Sequence, residues 1–313
     1  MSSAVLCVDI GGTSSKAGIL DAAGQLHNVH SIPTKPDAAT FIDHLADFIA
    51  RTHDAAKAAG LVCSGIGVAL AGFVSTARDR LVYNSNLSWL EGFPIKDRLA
   101  ERFDLPIEIE VDSNAATMAE YRFGSGRNSR RFLCITSGTG LGVGMTVDGV
   151  PLRFAYGCLG DIGHVIVEPY GPLCTCGGRG CAEILVSAPA LARQFQEVTP
   201  GARDATLRDV IEAAHAGNSV AIDILEHAGE ALGIAIASIS NALFPDHIAV
   251  AGGLSAADDF VLKPAERAFR ESASILARSD VSFTKATLGT MATLIGAAWP
   301  FWEDEANGES GTR

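Results

Sequence analysis

Asp9-Ile10-Gly11-Gly12-Thr13-Ser14-Ser15-Lys16 decides how the rest of the chain is read. A short apolar, β-leaning run from Ala4 to Ile10 leads into it, and a second run, Ala17 to Leu20, follows. Two glycines between two strands predict a hairpin whose tip lets something approach the backbone closely. The pattern recurs: Phe132 to Thr136 reads as a strand, Thr136-Ser137-Gly138-Thr139-Gly140-Leu141-Gly142 holds a glycine turn, and Leu141 to Val147 runs to an Asp148-Gly149 hairpin signal. Consecutive backbone N–H groups at such tips form a concavity that favours anions. Thr13 and Thr139 add hydroxyl donors, and Asp9 is placed to hold Mg²⁺ through water, since hard cations prefer oxygen ligands. A tight hairpin without a ligand explains either turn alone. Two in register, with an acid, a hydroxyl and Lys16 beside the first, favour phosphate.

Working outward, Asp21 to Gly24 makes a turn and Gln25 to Ile32 a third strand. Thr40 is the expected N-cap of a helix with Phe41, Leu45, Phe48, Ile49 and Thr52 on its core face, stopped by Gly60. Val62 to Leu70 and Ile107 to Val111 read as buried strands, with a long polar loop from Gly72 to Gly92 between them. Asn114 to Phe123 reads as a helix. In the second half, Ser219 to Leu243 predicts a long helix with Val220, Ile224, Leu232, Ile236, Ile239 and Leu243 on its apolar side. His247 to Ala251 is a strand running into Gly252-Gly253, and Thr293 to Trp302 a closing helix. Strand, glycine turn, strand thus opens each half, a weak internal repeat that predicts two related α/β domains facing each other across a cleft.

Composition narrows the classes. With 313 residues, 48% hydrophobic and 19% charged, the chain is too apolar for disorder and long enough for two domains. Its 24 Lys+Arg against 36 Asp+Glu leave a net charge of −12, which works against a nucleic-acid partner. Met1 to Ile10 shows no secretory pattern and no stretch is long and apolar enough to span a membrane, so a cytoplasmic location is expected. Seven cysteines fit the reducing cytosol; Cys7, Cys63, Cys134 and Cys158 read as small buried hydrophobes. The polar tail, Trp302 to Arg313, is expected to fray.

Cys174, Cys176 and Cys181 cluster behind Gly160-Asp161-Ile162-Gly163-His164. Three thiolates and an imidazole make a tetrahedral zinc set, and soft sulfur disfavours Mg²⁺ or Ca²⁺. Glycines at 177, 178 and 180 allow the sharp turns of a knuckle. All four positions come from protein, so the Zn²⁺ would be structural. Val111-Asp112-Ser113-Asn114-Ala115-Ala116 puts a carboxylate between a buried strand and a helix. Such an Asp serves either as a helix N-cap or as a proton acceptor, and the residues alone leave both open.

Together the two turns resemble the phosphate motifs of the sugar kinase/Hsp70/actin fold, and Ala249-Val250-Ala251-Gly252-Gly253 resembles its adenosine motif. The cysteine block is similar to the signature of the ROK group (repressors, open reading frames and sugar kinases), in the branch of glucokinases and N-acetylhexosamine kinases. The resemblance runs from Asp9 to Ala298. It implies two ribonuclease-H-like (actin-like ATPase) domains around a cleft, with a zinc knuckle: 1–114 plus 295–313 as the smaller domain, 115–294 as the larger. It further implies ATP and Mg²⁺ at Asp9, Gly11, Gly12, Thr13, Lys16, Gly138, Thr139, Gly140, Gly252 and Gly253. Asp112 would be the general base, ionised at neutral pH if unperturbed. The sugar would meet Gly72, Asn86, Asp112, Asp161, His164 and Glu183, with a homodimer as the expected assembly.

Two departures bear on the sugar. The family has Asn before the catalytic Asp, where this chain has Val111, and Glu where it has Asp161; polar readers of this kind discriminate strongly. Ala71 also stands where Pro is common. The rival readings are a repressor, a non-catalytic sugar sensor and a polyphosphate-using kinase. A repressor carries a winged helix ahead of the first motif, for which Asp9 leaves no room. Intact Asp9, Gly11, Gly12, Thr13, Asp112 and Gly138 argue against the sensor, and the acidic composition offers a polyanion no track.

Overall fold

The computed structural model describes residues 2–35 and 37–302; the tail expected to fray lies, after Trp302, outside them. The chain forms two compact units, one of Met1–Ala119, Leu152–Cys158 and Met291–Arg313, the other of Glu120–Pro151 and Leu159–Thr290.

The first unit is built on a five-stranded sheet. Strands β1 (Ser2–Ile10), β2 (Ser14–Asp21) and β3 (Leu26–Pro33) form an antiparallel meander. Helix α1 (Ala38–Ala58) then returns the chain so that β4 (Leu61–Leu70) pairs parallel with β1. Asp37, not Thr40, caps α1: its carboxylate accepts the Thr40 N–H at 2.8 Å. An acid one turn earlier can reach that amide, which Thr40 cannot do for itself. The expected face of α1 (Phe41, Leu45, Phe48, Ile49, Thr52) is buried. The supposed polar loop after β4 contains a short hairpin, β5 (Phe73–Val74) with β6 (Leu81–Tyr83), followed by α2 (Ile95–Ala100). Their spans are too short for periodicity to register. Strand β7 (Ile107–Val111) completes the sheet in the order β3-β2-β1-β4-β7 and passes directly into α3 (Asp112–Phe123). The closing segment is helical over Ala292–Gly296 and forms a separate 3-10 turn at Trp299–Phe301, where Pro300 breaks the continuous helix expected. It packs so tightly on α3 that a Cβ on Gly296 would fall 1.7 Å from the Ala115 carbonyl oxygen.

The second unit repeats the scheme. Strands β8 (Arg131–Ser137) and β9 (Leu141–Val147) are antiparallel, and β10 (Val150–Pro151) folds back on β9 through Asp148-Gly149. After α4 (Ala182–Val186), α5 (Ala188–Val198), α6 (Leu207–His215) and α7 (Ser219–Leu243), β11 (His247–Gly252) pairs parallel with β8. Helix α8 (Asp259–Ser272) leads to β12 (Ser282–Lys285) on its far side. Helix α7 buries Leu232, Ile236 and Ile239 of the expected face, but its first turns depart from it: Ala221, Leu225 and Ala228 are buried while Val220 is exposed. Its small residues face α8, where Cβ atoms on Gly229 and Gly233 would lie 2.5 and 2.3 Å from the Val261 and Ala265 carbonyl oxygens. Alanine and glycine at a close helix crossing carry no hydrophobicity signal.

Among the described residues no helix is long and apolar enough to cross a membrane.

Candidate active site

In the first unit the β1–β2 tip is drawn tight by backbone and by one threonine. Gly11 N–H donates to the Ser14 carbonyl at 3.2 Å, the Thr34 hydroxyl to the Gly11 carbonyl at 2.8 Å, and Thr34 N–H to the Thr13 carbonyl at 3.0 Å. Gly12 and Thr13 remain exposed. Asn86 lies against this tip: a Cβ on Gly12 would stand 3.0 Å from the Asn86 Cβ. Gly72 in turn abuts the β6 end, 2.6 Å (from its notional Cβ) to the Tyr83 carbonyl oxygen and 2.7 Å to the Asn84 Cβ. The turn expected to hold phosphate and the loop expected to hold sugar therefore meet, although far apart in sequence.

Asp9, next to last in β1, lies opposite Lys16 across the hairpin, with 3.8 Å between Nζ and Oδ2. Burial raises its carboxyl above the ordinary range, and Lys16 only partly offsets that. Asp112 stands where β7 becomes α3. Its Oδ1 accepts the adjacent Ser113 N–H at 2.7 Å, whereas a helix-capping carboxylate accepts from the second or third amide beyond itself. Burial, and then the charge of Asp9, push the Asp112 carboxyl up to about 7, against the pull of the Ser113 N–H. The premise of an unperturbed carboxylate therefore fails: near pH 7 Asp112 is shared between its acid and base forms.

Behind Asp112 lies a polar cluster that the sequence reading missed. Glu110 is fully buried, and its Oε1 accepts Val111 N–H at 3.0 Å and Asn114 Nδ2–H at 2.9 Å. Its Oε2 pairs with Arg153, whose Nε lies 3.1 Å away, and with Arg78 at 3.6 Å. Asn114 Nδ2 also donates to the Gly157 carbonyl at 2.7 Å. The signal was available, because an acid inside an apolar strand needs a partner. Val111 is 3% exposed and joins the apolar core with Val74 and Cys158.

In the second unit the β8–β9 tip is fixed by Gly138 N–H to the Gly140 carbonyl at 2.9 Å and by Ala188 N–H, at the start of α5, to the Gly138 carbonyl at 2.8 Å. Nothing lies within 4 Å of a Cβ placed on Gly138, and its backbone is ordinary. The fold itself thus makes no demand for glycine there. A ligand that closes on the backbone would, so an oxyanion fits this cradle. Gly252 adjoins the same turn, with φ of 84° and a notional Cβ 2.2 Å from the Ser137 carbonyl oxygen. Only glycine suits both conditions. Glu183 reaches into the turn: its Oε2 accepts Leu141 N–H at 2.9 Å and lies 2.6 Å from a notional Cβ on Gly140. This carboxylate braces the turn as well as standing among the expected sugar contacts.

The ligand atoms of His164, Cys174, Cys176 and Cys181 all lie within 4.8 Å of one another. His164 Nδ1 is 3.6 Å from the Cys174 sulfur, and the Cys176 and Cys181 sulfurs are 3.6 Å apart. Metal–sulfur bonds of about 2.3 Å in a tetrahedron put sulfurs about 3.8 Å apart, so the donor set fits Zn²⁺. His164 Nε2 points to Asp161, 3.8 Å from its Oδ1. The ring therefore offers one nitrogen to the cysteines and the other to the Asp161 side.

Comparison with known proteins agrees with this geometry. The ROK family model matches residues 5–304. A glucokinase of Halalkalibacterium halodurans is 34% identical over 97% of this chain and 96% of its own length. An N-acetylmannosamine kinase of Haemophilus influenzae is 29% identical, covering 94% of each. The crystal structure of a ROK family glucokinase from Streptomyces griseus in complex with glucose and AMPPNP superposes with a TM-score of 0.83 at 31% identity, over 95% of this chain and 98% of that one. The fold is the two-domain α/β, actin-like architecture of sugar kinases, and the chain belongs to the ROK family.

Proposed function

We propose that the protein is an ATP-dependent carbohydrate kinase that transfers the γ-phosphoryl group to a hydroxyl of a hexose, glucose first, with N-acetylhexosamines as the neighbouring substrate class. The observation that carries this reading is the pair of carboxylates brought to one end of the first sheet, Asp9 near the end of β1 and Asp112 directly after β7, by the parallel register of β1, β4 and β7. Both are needed where a hydroxyl must lose its proton beside a polyphosphate.

In this scheme the exposed Gly12-Thr13 backbone of the first turn and the exposed Thr139 of the second take phosphate oxygens, while the Gly11 and Gly138 amides hold the turns in shape, and Lys16 adds a positive charge beside the first. Gly252 and Gly253 take the adenosine side. Asp9 would hold Mg²⁺, which neutralises phosphate charge and leaves the γ-phosphorus open to attack. Gly72, Asn86, Asp161, His164 and Glu183 orient the sugar. Asp112 accepts the proton of the acceptor hydroxyl as its oxygen bonds to the γ-phosphorus, the bond to the β-phosphate oxygen breaks, and ADP departs. A zinc held by His164, Cys174, Cys176 and Cys181 would have a structural role, fixing the His164 ring. Family membership also supports a homodimer in the cytosol, checked by sedimentation and fractionation.

The test is ADP release from Mg·ATP across hexoses and N-acetylhexosamines, with Asp112→Asn as control. Turnover on one sugar that vanishes in the control supports the reading; silence across the panel overturns it.

A further inference from the structure

Tyr156 is held in a conformation that a tyrosine rarely takes. Its φ is 58° and ψ 25°, in the left-handed region, and its ring is exposed rather than packed away. Backbone strain of this kind persists only where the surroundings over-determine it. Here they do. The next residue, Gly157, also has positive φ, and a Cβ on it would strike Val74 at 2.6 Å and approach Val111 at 3.4 Å. Its carbonyl is bound by Asn114 at 2.7 Å, and Phe154 N–H closes the turn onto the Cys158 carbonyl at 2.8 Å. The turn is therefore anchored to the residues on either side of Asp112.

The ring does not stand alone. Phe73 meets it edge-on at 6.3 Å between centroids, and Tyr83 meets Phe73 in a tilted arrangement, also at 6.3 Å. Tyr83, like Tyr156, is more than half exposed. This aromatic wall adjoins Gly72 and the Asn84–Asn86 loop, because Phe73 follows Gly72 and the Tyr83 carbonyl touches it. Phe73 packs against the apolar core, but that core gives no reason for the exposed rings of Tyr83 and Tyr156 at this edge of the proposed sugar contacts.

We infer that Tyr156, with Phe73 and Tyr83, forms a stacking subsite for the acceptor, selecting pyranoses whose equatorial hydroxyls leave an apolar C–H face. The inference rests on the sugar-kinase reading. Aromatic rings attract such faces through dispersion and their quadrupole, while hydroxyls point outward to polar readers. Val111 fits the same purpose: in place of an amide it gives an apolar support beneath the Tyr156 turn.

The experiment compares Tyr156→Asn with Tyr156→Phe in the full chain. Asn tolerates positive φ better than Tyr, so the first variant removes the ring without burdening the turn; the second keeps the ring and removes only the hydroxyl. The KM for glucose, or for whichever sugar the panel identifies, should rise about tenfold in Tyr156→Asn and stay near wild type in Tyr156→Phe, with the KM for Mg·ATP unchanged. An unaltered sugar KM in Tyr156→Asn overturns the subsite, and so does an equal rise in both variants, which would assign the effect to the hydroxyl. If the wild-type protein turns over no sugar, the kinase reading fails separately. Calorimetric titration of glucose into the same three proteins then decides the subsite, a weakened Tyr156→Asn supporting it and equal or absent binding in all three overturning it.

Discussion

Replacing Asp112 by asparagine tests the site at two levels with one variant. A carboxyl displaced from 3.8 to about 7 is held in its charged form at a cost of about 1.4 kcal/mol per pH unit, or about 4 kcal/mol in all. Residual water at the site should reduce this to about 2 kcal/mol. The sign follows from which state releases its proton first. Well below pH 3.8 both states keep it, and the native state carries no penalty. As pH rises, the unfolded chain ionises first, so native stability falls progressively until pH passes about 7 and is level above that. Asparagine has no proton to lose. The stability gap between Asp112→Asn and wild type, from urea titrations at pH 5 and pH 8, should therefore widen by about 1–3 kcal/mol in favour of the variant at the higher pH. Turnover should fall by about 10²–10⁴-fold, the usual share of a general base. Wild-type turnover should itself rise with pH through the neutral range. Stability curves that stay parallel would refute the perturbed carboxyl, and retained turnover would remove Asp112 as the base.

Gly138→Ala should leave the melting behaviour unchanged, since its Cβ meets nothing within 4 Å, yet raise the KM for ATP at least tenfold; an unchanged KM would clear that turn of phosphate binding. Gly252→Ala should lose on the order of 2–4 kcal/mol of stability in chemical denaturation, because the positive φ and the Ser137 carbonyl oppose a side chain together. Elemental analysis should find one zinc per chain, and chelation should lower the melting temperature; a metal-free, fully stable protein would sink the knuckle assignment. Val111→Asn should shift use towards glucose or a close relative, at about 1–3 kcal/mol of stability for a polar group placed in the core, and an unchanged substrate profile would show that position 111 does not read the sugar.

The strands on either side of both glycine turns were legible because each is an unbroken apolar run bounded by residues of a single conformational meaning. The cysteine block was legible for a related reason: few arrangements of such residues make chemical sense other than a ligand site. What escaped were features created by three-dimensional neighbours. Asp37 rather than Thr40 caps α1 by one hydrogen bond. Leu232, Ile236 and Ile239 of α7 were legible, but Ala221, Leu225 and Ala228 join its buried face through the close approach of α8, which alanine and glycine permit and hydrophobicity does not rank. Thr34 clamps a turn from the end of another strand. The upward displacement of Asp112 depends on burial and on Asp9, neither of which can be read from Val111-Asp112-Ser113.

The distribution of the first unit over three stretches of chain has a consequence for synthesis on the ribosome. Its sheet can be complete once β7 has emerged, but the surface of α3 around Ala115 must wait for Gly296 to cover it. At about 5–20 residues per second, roughly 15–60 s separate the first strand from its last packing partner. During that interval the second unit, made of only two stretches, is synthesised in full and can fold first. The order of folding would then run against the order of translation, with the base-bearing helix among the last elements to be sealed.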